Sequence, residues 1–168
     1  MTKQQDTWFL TERAAAFASL VLTKRHDVRV QPFAGHGKGI DLLVENLKDG
    51  KTTLRLFGVQ IVAHMDLPND QNGDERILSR LGRDGLEAAL PLCVFVIGVR
   101  KPEGIYRWAV EPVVEDGHAL LCRNSAANWQ PLDTAGAARL IDQVNAWYDA
   151  LDVRSVPKSR GRRSKTGS

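Results

Sequence analysis

The apolar segment "LCVFVIGV", residues 92–99, is the feature that most constrains the fold. Pro91 precedes it, the turn-forming segment "RKPEG" follows it, and polar and apolar residues do not alternate within it. A continuous apolar run of this length is typical of a β-strand that is buried on both faces of a sheet. The next segment, "IYRWAVEP" at residues 105–112, alternates and predicts a strand that pairs with it across the turn. In that strand we expect Tyr106 and Trp108 to pack in the core rather than to stack on bases.

Helical and strand patterns account for most of the remaining chain. Apolar residues at helical spacing predict the helices, and alternation with a period of two predicts the strands. Asp6 or Thr7 is the expected cap of the first helix, and Asp133 or Thr134 is that of the last. Besides the two strands above, the predicted elements are a helix at 6–24, strands at 27–33, 40–46 and 52–64, a helix at 74–90, a strand at 118–123 and a helix at 134–151.

This order of elements predicts the fold class. A helix between the third and fourth strands implies a crossover connection, and therefore at least one parallel pair of strands. The second and third strands are joined by the short segment "KDG", which favours an antiparallel hairpin. We therefore expect an α/β domain in which a mixed β-sheet is flanked by helices on both faces, with additional strands and a C-terminal helix.

Length and composition are those of one globular domain. The chain has 168 residues, of which 43% are apolar and 26% are charged. The longest apolar stretch, residues 88–99, contains Pro91 and is too short to cross a bilayer, so no membrane partner is expected. The polar N-terminus has no signal-peptide core, and the two cysteines, Cys93 and Cys122, give little support for a disulfide. We therefore expect a cytoplasmic protein.

The positive net charge comes from the C-terminal segment. Residues 154–168 hold six of the 23 basic residues and no acidic residue, which leaves 17 basic against 20 acidic residues and a net charge of −3 for residues 1–153. We predict a domain at 1–153 and a disordered basic tail at 154–168. The tail is either a solvated end or an arm that binds the phosphate backbone of DNA. Its basic residues are Arg154, Lys158, Arg160, Arg162, Arg163 and Lys165.

Two polar residues on neighbouring predicted strands form a candidate catalytic site. Asp41 lies early on the second predicted strand and Gln60 late on the third, so a simple hairpin register places them close together. Residues two apart on a strand share a face, so Gln60, Val62 and His64 point the same way. Oxygen atoms of Asp41, Gln60 and a nearby backbone carbonyl are suited to a hard cation such as Mg²⁺, which helps to cleave phosphodiesters. In a purely structural alternative, Asp41 caps the preceding turn and Gln60 satisfies backbone groups at a strand end.

The segments "GIDLLVE" and "FGVQIVAH" resemble the restriction-endonuclease-like PD-(D/E)XK superfamily. The similarity is to bacterial nuclease-like domains that carry G-I-D-L-x-V-E followed by V-Q-x-K. It extends over residues 10–112, including the leading helix and the strand pair after the crossover. The resemblance implies an αβββαβ core and work on DNA in defence, mobile-element or repair systems.

In this resemblance each motif position has an expected role. Asp41 takes the place of the metal-binding aspartate, and Gln60 takes the acidic position. Glu12 corresponds to the leading-helix glutamate that supports a metal in some members. Val62 stands where the family carries the lysine that orients the attacking water and offsets charge on the phosphate. The resemblance therefore implies an Mg²⁺ site that lacks its lysine.

Three functions follow from this interpretation. The leading hypothesis is a DNA-associated, nuclease-like protein with a degenerate site and weak or absent cleavage. In the second, Lys38 or His64 replaces the missing lysine, and the protein is an active Mg²⁺-dependent DNA endonuclease. In the third, the domain is a non-catalytic interaction module that docks a protein partner or a second copy of itself in a larger assembly.

Overall fold

The computed structural model describes residues 3–33, 39–68, 89–123 and 128–155. In chain order its elements are α1 (Lys3–Leu22), β1 (Val28–Pro32), β2 (Leu42–Lys48), β3 (Lys51–His64), β4 (Leu92–Gly98), β5 (Glu103–Glu115), β6 (His118–Arg123), β7 (Gln130–Pro131) and α2 (Thr134–Ser155). Apart from the two-residue β7, each element corresponds to one predicted from the sequence. The helix expected at 74–90 falls almost entirely on residues 69–88, which lie outside the described residues.

Within the described residues, seven strands form one mixed sheet. β1 to β6 follow one another across the sheet in chain order, and β7 pairs with β5. The β3–β4 pair is parallel, and the other pairs are antiparallel. This confirms the predicted α/β class, with a mixed sheet and a parallel pair on either side of the crossover.

The central strand β4 is buried along its whole length. Its side chains alternate between two apolar clusters, with Cys93, Phe95 and Ile97 on one face of the sheet and Val94 and Val96 on the other. The predicted strand with two buried faces is therefore confirmed. Both cysteines of the chain are free thiols. Burial raises the pKa of the Cys93 thiol well above its usual range, so Cys93 acts as a small apolar residue.

Both described helices pack on the same face of the sheet, which we call the helix face; the opposite face is the second face. α1 contributes Ala14 and α2 contributes Leu140 to one core cluster with Phe57 and Phe95 of the central strands. We expected helices on both faces, whereas α1 and α2 share one because the large side chains of β3 and β4 point to that face. The third predicted helix, at 74–90, falls almost entirely outside the described residues.

The aromatic residues of β5 belong to the core of the helix face. Tyr106 is 5% exposed and Trp108 is 4% exposed. Trp108 meets Phe57 edge to face, with 6.2 Å between ring centroids, and Tyr106 meets Phe95 in the same way at 6.3 Å. Such pairs are typical of packed cores, so the predicted core role of Tyr106 and Trp108 is confirmed.

The first helix begins earlier than predicted. α1 starts at Lys3, so Asp6 and Thr7 lie within the helix, and the prediction that one of them caps it is wrong. The segment "KQQ" consists of good helix formers and therefore extends the helix toward the N-terminus. No helix in the described ranges combines the length and the apolar character that a membrane span requires.

The last helix begins at its predicted cap. Asp133 Oδ1 accepts a hydrogen bond from Gly136 N–H at 2.7 Å, which satisfies one of the free N–H groups of the first turn. α2 continues to Ser155, so the backbone at Arg154, which we assigned to the basic tail, is helical. The helix therefore extends four residues beyond its predicted end at 151.

A shift in the β4–β5 ladder helps to anchor α2 on the sheet. The pairing shifts by one residue next to the pair Cys93–Trp108, as in a β-bulge. Beyond the shift, Glu111 reaches α2, where its carboxylate accepts a hydrogen bond from Gln143 Nε2 at 3.1 Å. Gln143 Oε1 also accepts one from Trp108 Nε1–H at 3.0 Å. Gln143 of α2 therefore hydrogen-bonds to residues of β5 on both sides of the ladder shift, Trp108 and Glu111.

Tyr148 of α2 hydrogen-bonds to the backbone of Leu56 in β3, just before Gly58, where the pairing of β3 with β4 begins. Its hydroxyl accepts a hydrogen bond from Leu56 N–H at 3.1 Å and donates one to Leu56 O at 2.8 Å. We expect Tyr148→Phe to leave both backbone groups without this partner and to lower the free energy of unfolding by about 1–3 kcal/mol. Chemical denaturation of the purified variant measures this change.

Tyr106→Phe is the matched control for this prediction. It removes the same hydroxyl, but the partner in this case is Arg139, an exposed side chain that returns to water. We therefore expect Tyr106→Phe to cost less stability than Tyr148→Phe. An equal loss in the two variants would contradict the role given to the Leu56 backbone.

Candidate active site

The carboxylate of Asp41 lies beside the peptide bond that joins Gln60 and Ile61. Asp41 precedes β2, whose first residue, Leu42, pairs with Val59 of β3. The Asp41 N–H donates to Val59 O at 2.8 Å, and Asp41 Oδ2 accepts a hydrogen bond from Ile61 N–H at 2.6 Å. Asp41 therefore lies beside Gln60 as expected, although the β2–β3 pairing is not a simple hairpin register, because it shifts between Asn46 and Leu47.

One oxygen atom of Asp41 has a structural role. β3 has 14 residues and β2 has 7, so β3 continues past the point where β2 begins. There the Asp41 carboxylate takes the place of a strand residue as the acceptor for a backbone N–H of β3. In the structural alternative Asp41 caps the turn that precedes it. Its carboxylate instead accepts a hydrogen bond from the backbone of the neighbouring strand, β3. An ionised carboxylate has about four acceptor sites, so the Ile61 contact leaves others for a cation.

Gln60 brings an amide group to the second face. Phe57, Val59 and Ile61 of β3 point into the core of the helix face, so Gln60 points the other way. Its Oε1 atom is buried and accepts no hydrogen bond from the described residues. A buried acceptor without a partner costs free energy, and such an atom calls for a water molecule or an ion. The amide oxygen is therefore suited to hold a ligand.

The next two positions on this face of β3 carry a valine and a histidine. Val62 packs against Val94 and Val96 in the apolar cluster of the second face. His64 Nε2 is buried, and no described residue hydrogen-bonds to it. His64 lies four positions after Gln60, roughly 13 Å along a strand, so their side chains are too far apart to share one cation.

The other predicted site residues lie away from this pair or outside the described residues. Glu12 is exposed on α1, which packs on the helix face, whereas Gln60 points to the second face. Lys38 falls within residues 34–38, and the basic residues from Lys158 onward fall within residues 156–168, so the structure describes neither group. In the ranges that it does describe, no three His, Cys, Asp or Glu side chains group closely enough to hold a metal ion.

Glu45 of β2 supports the fold near the other end of β3. It is 4% exposed, forms an ion pair with Arg29 of β1, and accepts a hydrogen bond from Leu54 N–H at 3.2 Å. Leu54 has a φ of 59°, in the left-handed region that non-glycine residues rarely adopt. Glu45 therefore holds a strained residue of β3 in place, and it lies four residues from Asp41, roughly 13 Å along a strand.

Arg107 is a candidate that sequence reasoning missed. The sheet pairs Gln60 with Val94 of β4, and Val94 with Arg107 of β5. Directly paired residues share a face, so these three form a line across the second face, which we call the central row. One signal was present in the sequence: Tyr106 and Trp108 are core residues of β5, so the arginine between them points away from that core.

Comparisons with protein-family models, with curated proteins and with solved structures gave no match. The resemblance to the PD-(D/E)XK superfamily therefore depends on the chain itself. It consists of the motif around Asp41, Gln60 and Val62 and the order of the elements that carry them.

Proposed function

We propose that this chain is a cytoplasmic, DNA-associated nuclease-like protein of the restriction-endonuclease-like fold, with an incomplete active site and weak or absent cleavage. The observation that carries the proposal is the hydrogen bond from Ile61 N–H to Asp41 Oδ2, because it brings the carboxylate next to Gln60. The order of elements supports it, since a leading helix, an antiparallel β2–β3 hairpin and a parallel β3–β4 pair follow one another. The basic residues of the C-terminal segment add attraction to the DNA backbone.

Asp41 and Gln60 are the residues that would hold Mg²⁺. One carboxylate and one amide oxygen suit this cation, which keeps several water molecules and takes further ligands from a phosphate group. The buried Oε1 of Gln60 fits this role, because a cation would satisfy an acceptor that the described residues leave without a donor. When bound, Mg²⁺ polarises the phosphodiester and lowers the pKa of a coordinated water.

Val62 is the reason to expect weak cleavage. Its side chain has no charge and no hydrogen-bond donor, so it neither orients an attacking water nor offsets negative charge on the phosphate. It packs instead with Val94 and Val96 in an apolar cluster. A neutral glutamine beside a single carboxylate also attracts a cation less strongly than two carboxylates do.

A plasmid-nicking assay with Mg²⁺ or Mn²⁺ tests the proposal. We expect the wild-type protein to bind DNA at low salt and to cleave little or none of it. Mn²⁺ should raise the melting temperature of the wild-type protein, and Asp41→Asn should remove this shift. If the wild-type protein cleaves the plasmid and Asp41→Ala does not, the protein is an active endonuclease and the proposal of a degenerate site is wrong.

A pair of substitutions separates the structural role of Asp41 from its metal role. Asp41→Asn keeps an oxygen atom for Ile61 N–H and removes the charge, whereas Asp41→Ala removes both. We expect Asp41→Ala to lower the free energy of unfolding by about 1.5–3 kcal/mol, as for a hydrogen bond to a charged group, and Asp41→Asn to lower it less. If Asp41→Asn retains the full increase in melting temperature on addition of Mn²⁺, Asp41 stabilises the fold but does not bind the metal.

An interaction module is a second candidate, and α1 favours it. Trp8, Phe9 and Leu20 of this helix are 55%, 49% and 64% exposed. Large apolar side chains on a surface are typical of sites that contact another protein. This function requires no DNA, so a stable oligomer or complex that binds no DNA at low salt would favour it over the nuclease-like protein.

A further inference from the structure

We propose that α1 docks against α1 of a second copy of this chain, with the two helices antiparallel about a two-fold axis. The surface that carries the contact consists of Phe9, Arg13, Ala16 and Leu20, all of them exposed, and we call it the α1 stripe. This inference goes beyond the proposed function, because the contact requires neither DNA nor a metal ion.

α1 has apolar residues on two faces. Ala14, Ala18 and Val21 are buried in the core cluster of the helix face. At 3.6 residues per turn, the α1 stripe runs along one line of the helix, roughly 140° around the axis from these core residues. Phe9 and Leu20, at the two ends of the stripe, are 49% and 64% exposed. A helix that packs on a sheet needs only one apolar face, so the second one indicates a further contact.

The spacing of the α1 stripe favours the antiparallel arrangement. Its steps of four, three and four residues match the spacing with which two helices pack along a seam. The steps read the same from either end, so a two-fold axis places Phe9 opposite Leu20 of the second copy, and Arg13 opposite Ala16. The small alanine leaves room for the stem of the arginine. In a parallel pair, Arg13 would face Arg13 of the second copy, and the like charges would repel.

A groove beside the α1 stripe offers a place for an aromatic ring. It has a volume of about 300 Å³ and lies between α1 and the end of β4. Apolar residues dominate its lining, which includes Phe17, Leu20, Ile97, Val99 and Pro102. Because Phe9 of the second copy lies opposite Leu20, its ring comes to the mouth of this groove. Two-fold symmetry brings Phe9 of the first copy to the equivalent groove of the second.

Phe9 is held in position before any partner binds. Its ring meets Trp8 edge to face, with 6.2 Å between the ring centroids, and the guanidinium carbon of Arg13 lies 5.3 Å from its centre. A side chain that is already ordered loses less conformational entropy on association. The aromatic anchor and the groove that receives it thus both exist in the single chain.

The exposed area sets the expected strength of the contact. A fully covered aromatic side chain buries about 150–250 Å², so the half-exposed Trp8 and Phe9 can add roughly 100 Å² each. With Leu20 and the groove residues, the contact covers about 400 Å² of each copy, at the low end of specific interfaces. We therefore expect a weak dimer with a Kd on the order of 10–100 µM.

Sedimentation equilibrium of the full chain without DNA, at concentrations on both sides of this Kd, tests the inference. We expect the wild-type protein to pass from monomer to dimer as the concentration rises. Leu20→Glu should raise the Kd about tenfold or more, because it places a charge opposite the ring of Phe9. Leu120→Glu is the matched control, because it makes the same change at an exposed leucine of β6, and it should keep the wild-type Kd.

Cross-linking tests the orientation of the helices independently of Leu20→Glu. In the antiparallel pair, the two copies of residue 16 lie next to the two-fold axis, whereas those of residue 20 are roughly 16 Å apart along the helices. A Cys122→Ser background leaves the buried Cys93 as the remaining native thiol. In this background a short bismaleimide should link two copies of Ala16→Cys but not two copies of Leu20→Cys.

Three results would contradict this inference. The first is a wild-type protein that stays monomeric, or a Leu20→Glu variant that dimerises as well as the wild type. The second is a cross-link at residue 20 in place of residue 16, which would show parallel helices. The third is a monomeric chain whose α1 holds a different protein in a complex that Leu20→Glu disrupts. None of these results depends on DNA binding, so the proposed function is tested separately by its own assays.

Discussion

Gly136→Ala is expected to lower the free energy of unfolding by about 3 kcal/mol or more, and the melting temperature by roughly 6–12 °C. A Cβ atom on Gly136 would lie 2.0 Å from Pro131 O, far inside any normal contact distance. That carbonyl belongs to β7, where Pro131 pairs with Ile105 and the next residue, Leu132, donates to Gly104 O at 2.8 Å. Either α2 or β7 must therefore move away from the sheet to admit the methyl group.

Helix propensity alone predicts the opposite sign for this change. Alanine is favoured over glycine in a helix by about 1 kcal/mol, so Gly136→Ala would stabilise α2 if the methyl group had room. Ala146→Gly, at an exposed position of the same helix, is the matched reverse change and should cost about 1 kcal/mol. Thermal unfolding followed by circular dichroism measures both variants. A melting temperature of Gly136→Ala equal to or above that of the wild type would contradict the close packing of β7 on α2.

Val62→Lys is expected to produce Mg²⁺-dependent DNA cleavage on the order of a hundredfold above the wild-type rate. Position 62 lies one same-face step from Gln60, roughly 6.5–7 Å along β3, so the new ammonium group comes close to a phosphate at the Asp41–Gln60 pair. Loss of one preorganised donor typically costs about 10²–10³ in rate, and we expect its introduction to recover the lower end of that range. The rate of nicking of supercoiled plasmid measures the effect.

Two controls show whether the charge is responsible. Val62→Met adds length without charge and packs against the same neighbours, Val94 and Val96. Val62→Lys combined with Asp41→Asn should be inactive, because the carboxylate is then missing. The lysine stem lies along the apolar cluster while its ammonium group stays in water, so folding is retained. If folded Val62→Lys cleaves no faster than Val62→Met, the missing lysine is not what limits cleavage.

Local patterns were sufficient to predict most of the strands of the sheet, but not the full register of the β2–β3 pair. β4 was predictable because a short apolar run without alternation is typical of a strand that is buried on both faces of a sheet. The short turn at Asp49 and Gly50, whose φ angles of 52° and 71° are those of a type I′ hairpin turn, pairs Lys48 with Lys51. The ladder then shifts between Leu47 and Asn46, so that Leu42 pairs with Val59, and this shift, which the turn does not predict, brings Asp41 to the Gln60–Ile61 peptide.

Features that depend on distant parts of the chain were not predictable. Arg107 is in line with Gln60 only because β4 lies between their strands, and alternation within one strand does not reveal its neighbours. The ladder shift next to Trp108, which lets Glu111 reach α2, has no signature in the local residues. The apolar stripe of a helix likewise shows that the helix is buried, but not on which face of a sheet it packs. For this reason the sequence does not indicate that α1 and α2 share a face.

The hydrogen bond between Asp41 and Ile61 N–H bears on how such a site would lose activity over evolutionary time. In a working nuclease, selection would retain the aspartate for two reasons, its chemistry and the completion of the β3 backbone. A lysine at position 62 would be retained for chemistry alone, and an aliphatic replacement would gain contacts with Val94 and Val96. Once cleavage ceased to matter in such an enzyme, drift would therefore remove the lysine first and leave the acid as the longer-lasting trace of the site.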